Sequence, residues 1–278
     1  MDIIDKFKFV FFYAKIFVVI FMNQHIFKKK YGQNFLNDEN ILKKIYSSIT
    51  PNENDLIIEI GPGSGNLTKW LQKYNCQLIC FEIDQTLEAT LNNFKNDKTT
   101  IIFTDFLNVN LNELLKNYQY ENLYVIANIP YYITTPIIEK ITKENINPKE
   151  LILMVQKEVA SRLTAQPKTK EYGYITVWLS YYYDIKKLFD VNRGCFYPVP
   201  NVDSSIISLK SKHSFDANYK FDRLIQNAFK FKRKTLKNNL KGYDLSKIEP
   251  VLIKNNYSLN NRAEEIPLNV YIEIADNL

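Results

Sequence analysis

Asn128, Ile129, Pro130 and Tyr131 set an amide, two free carbonyls and an aromatic ring directly after Leu123 to Ala127, an apolar run that reads as a buried strand. Such a group suits a planar amino substituent. Ile129 precedes a proline, which disfavours the α region and keeps its carbonyl out of a helical ladder. The Asn128 side-chain oxygen and that carbonyl can then both accept from one NH2 donor, while Tyr131 can stack on the ring that carries it. Asn and Pro are also ordinary turn residues, so the tetrapeptide takes its meaning from what surrounds it.

Gly61, Gly63 and Gly65 are three of only seven glycines, and they follow directly on the run Leu56 to Ile60. Glycine permits a tight turn and lets a ligand approach the main chain. Asn66 stands where a dinucleotide fingerprint has its third glycine, which weakens an NAD or FAD reading, and no Lys-Ser/Thr pair follows as a phosphate-binding P-loop requires. What remains is a glycine turn meeting a nucleoside that carries no phosphate. Glu82, 21 residues beyond Gly61, suits a carboxylate accepting from both ribose hydroxyls. Asp105, after the next apolar run, could accept from an adenine amino group. Either carboxylate alone is more often a surface loop residue. Their succession at three strand ends points to an adenosyl ligand, with S-adenosylmethionine ahead of NAD.

Groups so spaced need an open parallel sheet, where ligands lie beyond the carboxyl ends of the strands. From Asp55 to about Lys210, short β-branched runs alternate with amphipathic stretches, the pattern of an α/β fold. Strands are expected at Leu56 to Ile60, Gln77 to Ile83, Thr100 to Phe103, Leu123 to Ala127, Leu151 to Val155, about Tyr182 to Leu188, and Ser204 to Leu209. The last two lie too close for a crossover helix, so one should run antiparallel. Beyond Lys210 the β signal fades, and Phe221 to Asn239 and Asp244 to Asn255 have helical spacing. The expected architecture is a Rossmann-like, seven-stranded, mostly parallel sheet over residues 23–210 with a small helical domain over 211–278.

The chain of 278 residues is 46% hydrophobic, enough for a large core, and carries a net charge of +6. Its basic residues concentrate in Lys28, Lys29 and Lys30 and in Lys230, Lys232, Arg233, Lys234, Lys237 and Lys241. Such runs are usually solvated faces, but they also suit an anionic partner. Cys76, Cys80 and Cys195 have neither metal nor disulfide spacing, which fits a reducing compartment. The only histidines, His25 and His213, lie outside the strand-rich middle, arguing against a Ser-His hydrolase or a histidine-ligated metal. Phe9 to Met22 is nearly all apolar, yet its 14 residues are too few to span a bilayer. Residues 1–22 are read as translation from upstream of a start at Met22, ahead of a short membrane-associating segment or a helix packed on the domain.

Taken together the motifs resemble those of the KsgA-type ribosomal RNA adenine dimethyltransferases. The resemblance rests on Tyr31 to Asp38 (YGQNFLND), Glu59 to Thr68 (EIGPGSGNLT), Phe81 to Asp84 (FEID) and Asn128 to Tyr131 (NIPY), followed by Gln156 to Leu163 (QKEVASRL), Lys170 to Gly173 (KEYG), Phe196 to Ser204 (FYPVPNVDS) and Arg262 to Glu265 (RAEE). It covers roughly residues 25 to 275 and departs at Tyr132, where the family usually has Asn, and at Thr134, where it often has Ser.

The resemblance implies an S-adenosylmethionine-dependent methyltransferase sheet with cofactor contacts at Asn34, Leu36, Gly61, Glu82, Asp105 and Asn128. It implies catalysis by Asn128, Ile129 and Tyr131, with Phe196 as a second stacking face. The implied reaction is N6,N6-dimethylation of two neighbouring adenosines near the 3′ end of small-subunit rRNA, in an assembling ribosomal particle, by a cytoplasmic monomer without a stable membrane partner. Lys28 to Lys30 and the 230–237 cluster would then bind RNA phosphates. Resistance-type enzymes acting on large-subunit rRNA share NIPY and the Phe-x-Pro-x-Pro element but usually lack the QKEV and KEYG segments. That type, a mainly non-catalytic assembly checkpoint and a DNA adenine methyltransferase are the alternatives.

Overall fold

The computed structural model describes residues 34–129, 133–212 and 218–278. The apolar extension, Lys28, Lys29, Lys30, Tyr131 and Tyr132 lie outside the described residues. The strands are β1 (Phe35–Leu36), β2 (Leu56–Ile60), β3 (Gln77–Glu82), β4 (Thr99–Phe103), β5 (Leu123–Ala127), β6 (Glu150–Gln156), β7 (Tyr183–Val191), β8 (Phe196–Tyr197) and β9 (Ser204–Ser211). The helices are α1 (Glu39–Tyr46), α2 (Thr68–Leu71), α3 (Glu88–Leu91), α4 (Leu111–Leu115), α5 (Thr134–Lys143), α6 (Lys157–Leu163), α7 (Tyr174–Tyr182), α8 (Tyr219–Ala228), α9 (Leu236–Asn239), α10 (Leu245–Lys254) and α11 (Leu268–Asp276).

Seven strands form one sheet in the order β4-β3-β2-β5-β6-β9-β7. The first five are parallel, and β9 runs antiparallel to both neighbours, so the expected antiparallel member is β9. β7 runs on to Val191, past the expected end at Leu188, because its ladder with β9 resumes after an irregularity between Lys187 and Phe189.

The inner parallel strands β2, β3, β5 and β6 are buried on both faces, which is why they read as nearly continuous apolar runs. Period-two alternation sorts their side chains into two cores. Leu56, Ile58, Ile60, Val125 and Ala127 join the first, together with α7 and the C-terminal helices through Trp178, Phe221 and Tyr271. Ile57, Tyr124, Ile126, Leu78 and Cys80 join the second, with Leu36 and Phe196. Asp222 on α8 accepts from Trp178 Nε1 at 2.8 Å and from the Tyr182 hydroxyl at 2.9 Å, fastening α8 to α7.

The helical spacing of Phe221 to Asn239 does not yield one helix. α8 ends at Ala228 and α9 begins at Leu236, because Lys232, Arg233 and Lys234 offer no apolar side chain to continue the buried stripe. The intervening turn is pinned instead. Asn239 Nδ2 donates to the carbonyls of Ala228 and Phe231, the Lys234 amide donates to the Phe231 carbonyl, and the Leu236 amide donates to the Asn261 carbonyl. Among the described residues no helix is long and apolar enough to cross a membrane.

Candidate active site

Strand register gathers the chemistry-bearing residues. Ile60 at the end of β2 is level with Phe81 on β3 and Ala127 on β5, so Gly61, Glu82 and Asn128 leave the sheet side by side. Glu82 is level with Phe103 on β4, two residues before Asp105. The sheet order reverses between β2 and β5, the switch point where open α/β sheets bind ligands.

The glycine turn is fitted tightly to this row. Gly61 has φ +74°, and a Cβ there would lie 3.3 Å from the Asn128 carbonyl oxygen and 2.9 Å from Ile129 Cγ2. Any side chain at 61 would push the turn off the exit of β5. The expectation that these glycines clear space for a ligand is therefore only part of the matter, since what stands in the Cβ direction at Gly61 is the protein's own tetrapeptide. Gly63 has φ +58°, and a Cβ there would lie 2.9 Å from the Phe35 ring, while its amide donates to Glu82 Oε2 at 3.0 Å.

The second oxygen of Glu82 accepts from the Asp84 amide at 2.9 Å. Burial pushes this carboxyl above the ordinary carboxylate range, and the Asp84 and Gly63 amides oppose the shift. A carboxylate has about four lone-pair sites, so these amides do not exhaust its capacity to accept. Asp105 caps the turn that follows β4, accepting from the Leu107 amide at 2.9 Å. Asn128 is half-buried, Ile129 is buried, and buried Thr134 opens α5 just beyond them.

Leu36 is tied to the glycine turn through a feature too short for a periodicity argument, and Asn34 directly precedes it. β1 pairs antiparallel with β8, setting Phe35 opposite Tyr197 and Leu36 opposite Phe196. Asn66 Nδ2 donates to the Leu36 carbonyl and to Asn37 Oδ1, both at 2.9 Å. The residue that breaks the dinucleotide fingerprint is thus the tie between the glycine turn and the N-terminal segment. Its position is visible in the sequence; its partner is not.

Phe196 requires a correction. It is 4% exposed and belongs to the second core with Leu36, Met154 and Ile206, so it presents no open stacking face here. The β1–β8 ladder directs its ring inward, and neighbouring Tyr197, at 45% exposure, is the open ring of that loop. Glu59, two residues before the turn, is a residue that the sequence reasoning misses. Its side chain, 1% exposed, accepts from Thr68 Oγ1 at 2.7 Å and Cys80 Sγ at 3.4 Å, and burial raises its pKa from 4.5 to about 7. An acidic residue inside an apolar strand is the signal that could have found it. The basic cluster, Lys230, Lys232, Arg233, Lys234 and Lys237, is exposed throughout.

Comparison with known proteins agrees with this geometry. The family model described as ribosomal RNA adenine dimethylase matches residues 24–276. Ribosomal RNA small subunit methyltransferase A of Streptococcus pneumoniae R6 is 40% identical over 270 residues, covering 91% of this chain and 92% of that protein. Its namesake in Macrococcus caseolyticus is 35% identical over 266 residues, covering 91% and 90%. Among solved structures, a dimethyladenosine transferase from Plasmodium falciparum superposes with a TM-score of 0.72 at 25% identity, covering 86% of this chain and 95% of that one. The 23S rRNA methyltransferase ErmE shares the fold, with a TM-score of 0.68 at 21% identity over 88% and 99%. Matched by that family model over residues 24–276 and 40% identical to such a relative along nine-tenths of its length, the chain belongs to the ribosomal RNA adenine dimethylase family of S-adenosylmethionine-dependent enzymes.

Proposed function

We propose that the protein dimethylates the exocyclic amino groups of two adjacent adenosines near the 3′ end of small-subunit rRNA. It acts as a cytoplasmic monomer on an assembling ribosomal particle. The observation that carries this reading is the direct packing of Gly61 against Asn128 and Ile129, which joins the cofactor turn to an amino-group clamp. The names of the 40% identical relatives favour small-subunit RNA.

The residues fit an adenosyl group. Glu82 keeps lone pairs for a ribose diol while its other contacts hold the turn, and Asp105, Asn34, Leu36, Gly61 and Asn128 complete the binding set. S-adenosylmethionine supplies an electrophilic methyl on a sulfonium sulfur. Asn128 Oδ1 and the Ile129 carbonyl accept from the target amino group and orient its nitrogen. Positive charge develops on that nitrogen, and acceptor oxygens fixed beside it stabilise the transition state without a strong base. The adenine must leave its stack to enter, and Tyr131 receives one face of it. Phe196 anchors the 195–198 loop from within the core. Residues 23–210 perform the transfer, while residues 211–278, with Lys28, Lys29, Lys30 and the 230–237 cluster, hold rRNA phosphates.

The test is incubation of undermethylated small subunits with the purified protein and S-adenosylmethionine, then mass spectrometry of nuclease digests. Adjacent N6,N6-dimethyladenosines at the 3′ end are expected. Methylation confined to large-subunit rRNA, or none, would overturn the proposal.

A further inference from the structure

Phe231 is 56% exposed at the centre of the turn between α8 and α9, flanked by Lys230 and by Lys232, Arg233 and Lys234. A large apolar ring among five consecutive residues, the other four of them cations, serves neither packing nor solubility. Its backbone is nonetheless held. The Phe231 carbonyl accepts from the Lys234 amide at 2.9 Å and from Asn239 Nδ2 at 3.2 Å, and Thr235 bridges to Arg262. Lys230 Nζ lies 5.6 Å from the ring centroid, a cation–π distance.

The next residue, Lys232, lines a cleft of about 610 Å³ together with Lys168, Thr169, Lys170, Arg262, Glu264 and Glu265. Four cations face two carboxylates there. Glu265 is already engaged by the Arg262 amide at 2.7 Å and Asn261 Nδ2 at 2.7 Å. A cationic cleft beside a fixed exposed aromatic matches the two parts of an unpaired nucleotide: phosphate for the first, a base face for the second.

We propose that Phe231 stacks on an unpaired rRNA base while Lys168, Lys170, Lys232 and Arg262 hold the adjoining phosphates. The inference rests on the rRNA reading above, and it adds a second nucleotide site remote in sequence from Asn128. Stacking and charge neutralisation separate by salt, because counterion release makes affinity fall with salt in proportion to the phosphates neutralised.

The experiment measures binding of small-subunit rRNA particles by the full chain across a salt series for wild type, Phe231→Ala, Phe231→Leu, Phe231→Trp and Lys168→Ala/Lys170→Ala. Phe231→Ala and Phe231→Leu should each weaken binding about tenfold at every salt concentration with an unchanged slope, and Phe231→Trp should retain it. The double lysine variant should show a shallower slope. Wild-type affinity for Phe231→Ala, or for Phe231→Leu, would overturn the stacking, and an unchanged slope for the lysine pair would overturn the phosphate cleft. Failure of the wild type to bind these particles at any salt would instead overturn the rRNA reading itself.

Discussion

Replacing Glu59 by Gln should make the protein more stable at alkaline pH and flatten its pH profile. The carboxyl is buried on the second face of β2, and burial raises its pKa from 4.5 to about 7. Below about pH 4.5 both folded and unfolded states hold the proton, and this group favours neither. Between 4.5 and about 7 the unfolded chain has released a proton that the folded chain retains, so stability falls as pH rises; above that window the deficit is constant. At 1.36 kcal/mol per pH unit the gap is worth about 3 kcal/mol. The substituted amide would keep an acceptor oxygen for the Thr68 hydroxyl but cannot titrate. Urea unfolding followed by the fluorescence of Trp70 and Trp178, repeated from about pH 5 to 8.5, gives the two profiles. The wild type should lose stability relative to the variant by about 2–3 kcal/mol across the window. Parallel profiles, or a variant that loses ground as pH rises, would refute the raised pKa of the buried Glu59 carboxyl.

Asn128→Ala should abolish methyl transfer, measured by dimethyladenosine formation, with S-adenosylmethionine binding weakened less than about tenfold and a cost of only about 1 kcal/mol in stability for a half-buried amide. Gly61→Ala should destabilise the fold by at least about 1–2 kcal/mol through its positive φ alone, and should lower cofactor affinity in calorimetry by displacing the turn from Asn128. Replacing Lys232, Arg233 and Lys234 together by Ala should weaken particle binding and reduce its salt slope by up to about three, leaving cofactor affinity at the wild-type value.

The sequence shows the parallel sheet because strands buried on both faces leave little choice of residue: Leu56 to Ile60 and Leu123 to Ala127 begin and end where their apolar runs do. It shows the carboxyl-edge row for the same reason, since motifs directly after such strands inherit their register. Two-residue strands carry no period, so β1 and β8 are invisible to it, and with them the inward setting of Phe196. The continuation of a helix through Lys230 to Lys234 fails because the spacing runs across residues with no apolar face. Asn66 is legible as a departure from one fingerprint, but its bond to the Leu36 carbonyl joins residues 30 apart and belongs to tertiary structure.

The two-residue ladder between β1 and β8 also makes a mechanical linkage. Leu36 is backbone partner to Phe196 on one side and, through its carbonyl, to Asn66 in the glycine turn on the other. Displacing the Phe196 backbone would either unzip this ladder or pull on Leu36 and, through it, on Asn66. The 195–198 loop and the glycine turn, far apart in the chain, are therefore coupled through a single residue, and a backbone shift in one is felt by the other through Leu36.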